Sequence, residues 1–246
     1  MLYADKTVLI MVTYFRPNDL KKCVESILTN TTEPYHLYLC DNSHGGLDKF
    51  FETINDPHIT IYRNAQNLGK GRAFMKWYSQ IMKTSDSDNF VSIDSDILVP
   101  PKWLFKLQLA AYRIRASQPL GILAPVIMDG DGENFRSQIA NNKVIMHHIT
   151  QTSQFVLPNV YRNRHIAGSL FFIDRNFFES VYGYIQNQIY GNDDGELCKA
   201  AAQQKRFIGI ATDVEVLHLN EDSTDGYREW KKRNVNKDVD YVGYWD

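Results

Sequence analysis

The sequence has few cysteines and no long apolar segment. Its three cysteines are Cys23, Cys40 and Cys198, and none has the spacing of a metal-binding motif. Each lies in a predicted helix or strand, which indicates buried, reduced thiols. No apolar run approaches the ~20 residues that cross a bilayer, and the first residues lack the basic leader and cleavage site of a secretory signal. We therefore expect a cytoplasmic protein without a transmembrane segment.

An excess of charge of either sign is also absent. The 27 basic and 29 acidic residues give a formal net charge of -2. Nothing in this balance favours nucleic acid or an anionic membrane as a partner. The 246 residues suit one domain, or one domain with a substrate-binding extension, and are enough to bury a full core.

Strands and helices alternate regularly in the first half of the chain. Apolar runs predict strands over 6–12, 36–40, 59–62 and 90–93, and helical spacing of apolar residues predicts helices over 20–28, 47–54 and 71–82. Strands that alternate with helices imply a mostly parallel sheet covered on both faces. Ligands of such sheets bind beyond the carboxyl ends of the strands.

The fourth predicted strand ends in two carboxylates, Asp94 and Asp96. The Asp-x-Asp pattern occurs four times, at 86/88, 94/96, 129/131 and 238/240, but only the second pair follows a strand. Two hard oxygen ligands at this edge suit Mg²⁺ or Mn²⁺ bound together with substrate phosphates. An acidic turn without a ligand is the alternative that this motif leaves open.

Two other predicted strands end in residue types that suit a nucleotide. Thr13, Tyr14 and Arg16 follow the first strand and offer a hydroxyl, a stacking ring and a cation. Asp41 follows the second strand, and its carboxylate can accept a hydrogen bond from a ring N–H of uracil or guanine. Each is also a common turn residue, so it is their joint position that favours binding.

The segment RNAQNLGKGR, residues 63–72, carries two glycines and three cations just before a predicted helix. Backbone N–H groups at a helix start attract phosphate, and Lys70 or Arg72 could neutralise a diphosphate. The segment lacks the Gly-Lys-Ser/Thr ending of a phosphate-binding loop. A solvated basic turn is therefore the alternative.

An acidic cluster occurs at the start of a later predicted helix, in the segment 190–204. Asn192 or Asp193 is a natural N-cap, and Asp194 and Glu196 follow it. Acids in the first turn are favoured by the helix dipole, so capping explains one acid. Capping does not require two adjacent acids followed by a third.

Five segments occur in order between residues 6 and 218: VTYFRPNDLKKCVESIL, LYLCDNS, NLGKGRA, FVSIDSD and GNDDGELCKAAAQQKRF. Together they resemble the family 2 glycosyltransferases of the GT-A fold. The resemblance implies an α/β protein with a Rossmann-like, mostly parallel central sheet flanked by helices and a more variable acceptor-binding C-terminal half. It implies a single domain, in which 1–98 bind the nucleotide sugar, 99–220 bind the acceptor and carry the catalytic residues, and 221–246 form a tail.

The resemblance also assigns roles to residues. A general base would be Asp194, with Asp193 at the first position of the acidic pair, where the family more commonly has Glu, so the base stays ambiguous between the two. The metal, Mn²⁺ or Mg²⁺, would be held by Asp94, Asp96 and His218, and the alternative for His218 is a structural histidine. Gly168 and Ser169 would lie against the acceptor or form a tight turn. The nucleotide sugar would contact Thr13, Tyr14, Arg16, Asp41, Asn67, Gly69, Lys70, Arg72, Asp94 and Ser95.

The implied function is the inverting, metal-dependent transfer of a sugar from a nucleoside-diphosphate sugar, UDP-sugar being favoured, to an acceptor hydroxyl in glycan or polysaccharide biosynthesis. The acceptor would be a glycan, a lipid-linked molecule or a small molecule, and the tail would dock on the body or contact a membrane surface. A nucleotidylyltransferase would need a glycine-rich cationic loop after the first strand, and TYFRPND has no glycine. A binding module without turnover is the other alternative.

Overall fold

Strands and helices alternate in the computed structural model, which describes residues 6–129, 154–157, 159–163, 166, 168–182 and 193–219. The strands are β1 (Thr7–Thr13), β2 (Tyr35–Asp41), β3 (Ile59–Arg63), β4 (Asn89–Ile93), β5 (Ile97–Leu98), β6 (Leu120–Asp129), β7 (Gln154–Leu157), β8 (Val160–Arg162), β9 (Leu170–Asp174) and β10 (Phe207–His218). The helices are α1 (Pro17–Asn30), α2 (Asp48–Phe51), α3 (Lys70–Lys83), α4 (Trp103–Arg115), α5 (Arg175–Val181) and α6 (Asp193–Gln203).

The described strands form one sheet in the order β3-β2-β1-β4-β9-β6-β10-β8-β7, and β5 pairs with β10. The first four strands in this order are parallel to one another, as are β6 and β10. Strand β9 is antiparallel to both β4 and β6, between which it lies. The predicted fold class, with a central, mostly parallel sheet flanked by helices, is confirmed.

The sheet is buried on both faces because its central strands carry continuous apolar runs, such as residues 8–12 of β1. In β1, Leu9 and Met11 pack in one hydrophobic cluster, while Val8 and Ile10 pack in the other. Successive side chains of a strand point to opposite faces, so a continuous apolar run fills both clusters at once. Residues of α1 and α4 fill the first cluster, and residues of α3, α5 and α6 fill the second.

Two element predictions need correction. The helix predicted over 47–54 is shorter in the structure, where α2 has four residues. It ends early because Thr53 N and Ile54 N donate to the carbonyls three residues earlier, which is the hydrogen-bond pattern of a 3₁₀ turn. Helix α4 was not predicted at all, although Trp103, Leu104, Leu107 and Ile114 are fully buried.

Most other predicted elements agree with the structure to within a few residues. The predicted tail at 221–246 lies outside the described residues. The three cysteines are free and buried, as expected. Among the described helices, none has the length and apolar character needed to cross a membrane.

Candidate active site

The carboxyl ends of β1, β2 and β4 lie side by side because these strands are parallel neighbours. Thr13 is the register partner of Asp41. Because β9 is antiparallel to β4, the residues before β9 reach the same edge, and Asp94 N donates to Ser169 O at 2.8 Å. The topology thus gathers residues from both halves of the chain at one edge of the sheet.

Asp41 and Thr13 form a buried polar pair at this edge, and both are fully buried. Asp41 Oδ1 accepts hydrogen bonds from Ser43 N at 2.8 Å and Ser43 Oγ at 2.6 Å. In the described part of the chain, Asp41 Oδ2 and Thr13 Oγ1 have no hydrogen-bond partner. A buried polar atom without a partner is costly, and such atoms are rare in folded proteins.

Asn67 organises the loop before α3. Its Oδ1 accepts hydrogen bonds from Asn42 Nδ2 at 2.6 Å and from Gly69 N at 2.9 Å. Asn42 Oδ1 accepts from Asn64 Nδ2 at 3.1 Å and from Leu68 N at 3.0 Å. Sequence reasoning missed Asn42 and Asn64; the signal for each was its position two residues after the end of a predicted strand. Gly69, with φ 76°, makes the left-handed turn that starts α3 at Lys70.

Lys70 contacts both Asp94, in the first half of the chain, and Gly168, in the second half. Its Nζ lies 2.7 Å from Asp94 Oδ1 and donates to Gly168 O at 3.4 Å. The ion pair is part-exposed, since the two side chains are 30% and 28% accessible. Lys70 thus holds Asp94 next to the loop that precedes β9.

Three other predicted nucleotide-binding residues follow β1 and β4 or lie in the first turn of α3. Arg72 lies in the first turn of α3, and Ser95 lies in the turn between Asp94 and Asp96. Tyr14 follows β1, and its ring meets the ring of Phe15 edge-to-face at 4.8 Å between centroids. All three side chains are half-buried.

Asp96 binds residues from opposite ends of the chain. Its Oδ2 lies 2.8 Å from Arg16 Nη1 and 3.4 Å from His218 Nε2. Burial would raise the pKa of Asp96, but the hydrogen bond and charge of His218, with the cations Arg16 and Lys70, outweigh burial and lower that pKa. Asp96 is therefore a carboxylate.

The backbone around Arg16 is arranged to reach Asp96. Phe15 and Arg16 have φ values of 50° and 54°, a left-handed conformation that side chains rarely adopt. Arg16 also donates to Asp19 Oδ2 at 2.8 Å and to Leu219 O at 2.9 Å, while Leu219 N donates to Asp96 O at 2.8 Å. The loop after β1, the turn after β4 and the end of β10 are thereby tied together.

Asp194 lies in the first turn of α6, directly against Gly168. A Cβ placed on Gly168 would lie 3.0 Å from Asp194 Cβ and 3.7 Å from Asp194 Oδ2. Asp194 Oδ1 accepts a hydrogen bond from Gly195 N at 2.7 Å, and the side chain is half-buried. Asp193 begins the helix. Gly168 therefore touches Asp194 on one side and, through its carbonyl, Lys70 on the other.

The three predicted metal ligands do not form one cluster. Within the described residues, no group of three His, Cys, Asp or Glu side chains is arranged to hold a metal ion. Asp96 and His218 adjoin each other, whereas Asp94 pairs with Lys70. One carboxylate and one imidazole fit a divalent ion whose other positions are filled by substrate phosphates and water.

The sheet topology and the polar edge at its carboxyl ends define a protein of the GT-A fold class. The crystal structure of GalNAc-T7 with UDP, GalNAc and Mn²⁺ has this fold and superposes with a TM-score of 0.61 at 17% sequence identity. The match covers 87% of this chain and 44% of that chain, so the chain spans less than half the length of that protein.

The family follows from the sequence comparison. The family model described as Glycosyl transferase family 2 matches residues 8–180, and the chain belongs to this family. The family resemblance noted from the five segments is thus confirmed. A search of curated proteins finds no match.

Proposed function

We propose that this protein transfers a sugar from a nucleoside-diphosphate sugar, favouring UDP, to an acceptor hydroxyl with inversion at the anomeric carbon. The observation that supports this most is the run of contacts from Asp94 through Lys70 and Gly168 to Asp194. These contacts link Asp94, an acid suited to the donor, to Asp194, an acid suited to proton transfer. In this proposal residues 1–98 bind the donor, and residues 99–220 bind the acceptor and carry the catalytic residue.

Asp41 and Thr13 are suited to the base of the donor. The unpartnered Oδ2 of Asp41 can accept the ring N–H of uracil, and Thr13 Oγ1 can donate or accept beside it. Both side chains are fully buried, so binding requires the surrounding loops to open. Satisfying these two buried atoms is part of what stabilises the bound nucleotide.

Asp96 and His218 are the residues that would hold Mn²⁺ or Mg²⁺, and an imidazole ligand favours Mn²⁺. A bound divalent ion offsets the negative charge that develops on the departing diphosphate. Lys70 contributes a second positive charge next to Asp94. Arg16 orients Asp96 from the other side.

Asp194 acts as the general base. The acceptor hydroxyl oxygen forms a bond to the anomeric carbon while the bond from that carbon to the diphosphate oxygen breaks, and the hydroxyl proton passes to Asp194. A single displacement inverts the configuration. General-base catalysis contributes roughly 10²- to 10⁴-fold. Gly168 lies against Asp194, where a Cβ would come within 3.0 Å of Asp194 Cβ. We assign Gly168 and the adjacent Ser169 to the acceptor side.

The test replaces Asp194 by Asn and measures UDP release from UDP-sugars with Mn²⁺, together with donor affinity by calorimetry. We expect Asp194→Asn to bind the donor normally and to lose on the order of 100-fold or more in turnover. Glu196→Gln, in the same helical turn, is the matched control, and Asp193→Asn separates the adjacent acid. Near-normal turnover of Asp194→Asn would remove this residue from the role.

The same incubations separate the proposed reaction from its alternatives. Release of pyrophosphate from a nucleoside triphosphate would identify a nucleotidylyltransferase. A binding module would bind UDP-sugar without releasing UDP. It would transfer the sugar neither to water nor to any glycan, lipid-linked or small-molecule acceptor offered. Sugar transfer to an acceptor with inverted anomeric configuration, read by NMR, supports the proposal and a place in glycan or polysaccharide biosynthesis.

A further inference from the structure

The outer face of α4 carries the two exposed large hydrophobic side chains of the described residues. Phe105 is 39% and Tyr112 is 55% accessible. They are seven residues apart, and with ~3.6 residues per turn they lie on one face of the helix. The half-buried Leu109 lies between them on the same face. Together Phe105, Leu109 and Tyr112 form an apolar stripe along α4.

A row of cations lies next to the apolar stripe. Lys106 and Arg113 directly follow Phe105 and Tyr112 and so lie about 100° further around the helix. Lys102 is the N-cap residue of α4, and Trp103–Arg115 contains no acidic residue. Lys106 Nζ donates to the main-chain oxygen of Asp213 at 2.6 Å. Because Lys106 is held beside that exposed acid, the charge of the row rests mainly on Lys102 and Arg113.

The inner face of α4 anchors the helix firmly to the sheet. Trp103, Leu104, Leu107 and Ile114 are fully buried, and Trp103 Nε1 donates to Thr31 Oγ1 at 2.8 Å. The buried inner face therefore holds the outer face in place. A helix face with aromatic residues beside cations matches the boundary of a bilayer, which is apolar inside and charged at its surface.

We propose that the outer face of α4 binds the surface of an anionic lipid bilayer. Phe105, Leu109 and Tyr112 enter the boundary between headgroups and acyl chains, while Lys102 and Arg113 meet the lipid phosphates. The near-zero net charge of the chain predicts no general attraction to such a surface. Attraction depends instead on the local excess of positive charge on α4, and this binding is separate from the proposed sugar transfer.

The test is co-sedimentation of the full chain with vesicles of equal parts phosphatidylcholine and phosphatidylglycerol, compared with phosphatidylcholine alone. We expect binding to the anionic vesicles that weakens with added salt. Lys102→Gln with Arg113→Gln should lower the partition coefficient on the order of 20-fold, since each basic residue contributes roughly fivefold. Lys21→Gln with Lys199→Gln, an equal charge change on α1 and α6, is the matched control and should bind as the unmodified protein.

A second pair of variants tests the apolar stripe. Phe105→Ser with Tyr112→Ser should abolish binding, whereas Phe105→Leu with Tyr112→Trp should keep it; an unchanged circular dichroism spectrum verifies the fold of each. Anionic vesicles that fail to bind the unmodified protein, or that bind the α4 variants equally well, would overturn the proposal. Sedimentation velocity tests whether a second copy of the chain occupies this face instead. If the unmodified protein is a dimer that does not bind lipid, and Phe105→Ser with Tyr112→Ser is a monomer, the face is an interface between copies.

Discussion

Lys70 is the first residue of α3, and its Nζ lies 2.7 Å from Asp94 Oδ1. Its hydrogen bond to Gly168 O crosses 98 residues of sequence. A charge in this position serves two purposes: it orients Asp94, and it adds positive potential where a diphosphate would bind. Replacing it therefore affects donor binding more than folding, because the pair is part-exposed.

Lys70→Gln should weaken the binding of UDP-sugar about tenfold, the low end of the range for a lost charged hydrogen bond. Lys70→Arg should recover part of the affinity because it keeps the charge. Lys83→Gln, at the exposed other end of α3, is the control. Isothermal titration calorimetry measures the Kd of each variant, and an unchanged Kd in Lys70→Gln would exclude a role in donor binding.

The cysteines should be unreactive in the folded protein. Burial raises the pKa of Cys40 to about 12 and that of Cys198 to about 11, and it also raises the pKa of Cys23. At about pH 8 the reactive thiolate is then scarce, and the sulfurs are inaccessible. We expect Ellman's reagent to react slowly with the native protein. After denaturation it should react readily with all three thiols. Rapid labelling of one native thiol would contradict this.

Two glycines, one before β9 and one in β6, are tightly packed for different reasons: one contacts the proposed site and the other contacts the framework of the fold. Gly168 precedes β9 and packs on Asp194, while Gly121 lies in β6 against Arg206 and Phe207. A Cβ at 121 would lie 2.8 Å from Arg206 Cβ and 3.1 Å from the carbonyl oxygen of Phe207. A Gly to Ala change at 168 would therefore crowd the proposed base, Asp194. The same change at 121 would crowd Arg206 and the backbone of Phe207.

Gly168→Ala should reduce turnover severalfold with little loss of stability, because the half-buried Asp194 side chain can shift but then loses its position. Gly121→Ala should instead lower the free energy of unfolding by about 1–3 kcal/mol, as expected for overpacking, with turnover retained below the melting temperature. Urea denaturation and UDP-release kinetics on both variants separate the two effects. Equal losses of turnover in both would contradict the assignment of Gly168 to the site.

At the scale of the whole molecule, Asp96 connects the beginning, middle and end of the described chain. Arg16 binds it from the loop after β1, and His218 from the end of β10. Leu219 bonds to both Asp96 and Arg16 through its main chain. A ligand bound at Asp96 and His218 therefore contacts distant segments at once, and its binding energy adds to the stability of the folded state.

UDP with Mn²⁺ should raise the melting temperature more than UDP alone, and EDTA should remove the difference. At roughly 100 Kd of ligand the expected stabilisation is about 2.7 kcal/mol. His218→Ala should lose the part that depends on Mn²⁺. His58→Ala should keep it, because His58 is exposed and precedes β3 at the opposite, amino end of the parallel strands. Differential scanning fluorimetry provides the measurement. Metal affinity unchanged in His218→Ala would exclude this residue as a ligand.

The sequence allowed the central strands, most helices and the family to be predicted, because apolar spacing and motif order are properties of neighbours along the chain. It also singled out Asp94, Asp96 and Asp194 from other acids by their position at the ends of elements. It did not predict α4, whose apolar residues lie close to cations, or the roles of Asn42 and Asn64, which hold a loop through side-chain hydrogen bonds. Such contacts depend on how loops fold back on one another.

By itself, then, the sequence determined which segments are buried, which alternate as strand and helix, and which polar residues end them. Only the tertiary structure decided the partners: Asp94 with Lys70, Asp96 with Arg16 and His218, and Gly168 with Asp194. The physical reason is that Arg16 and Asp96 are 80 residues apart, and that β9 enters the sheet between β4 and β6 from the second half of the chain. Strand order, which local apolar patterns do not encode, sets those distances.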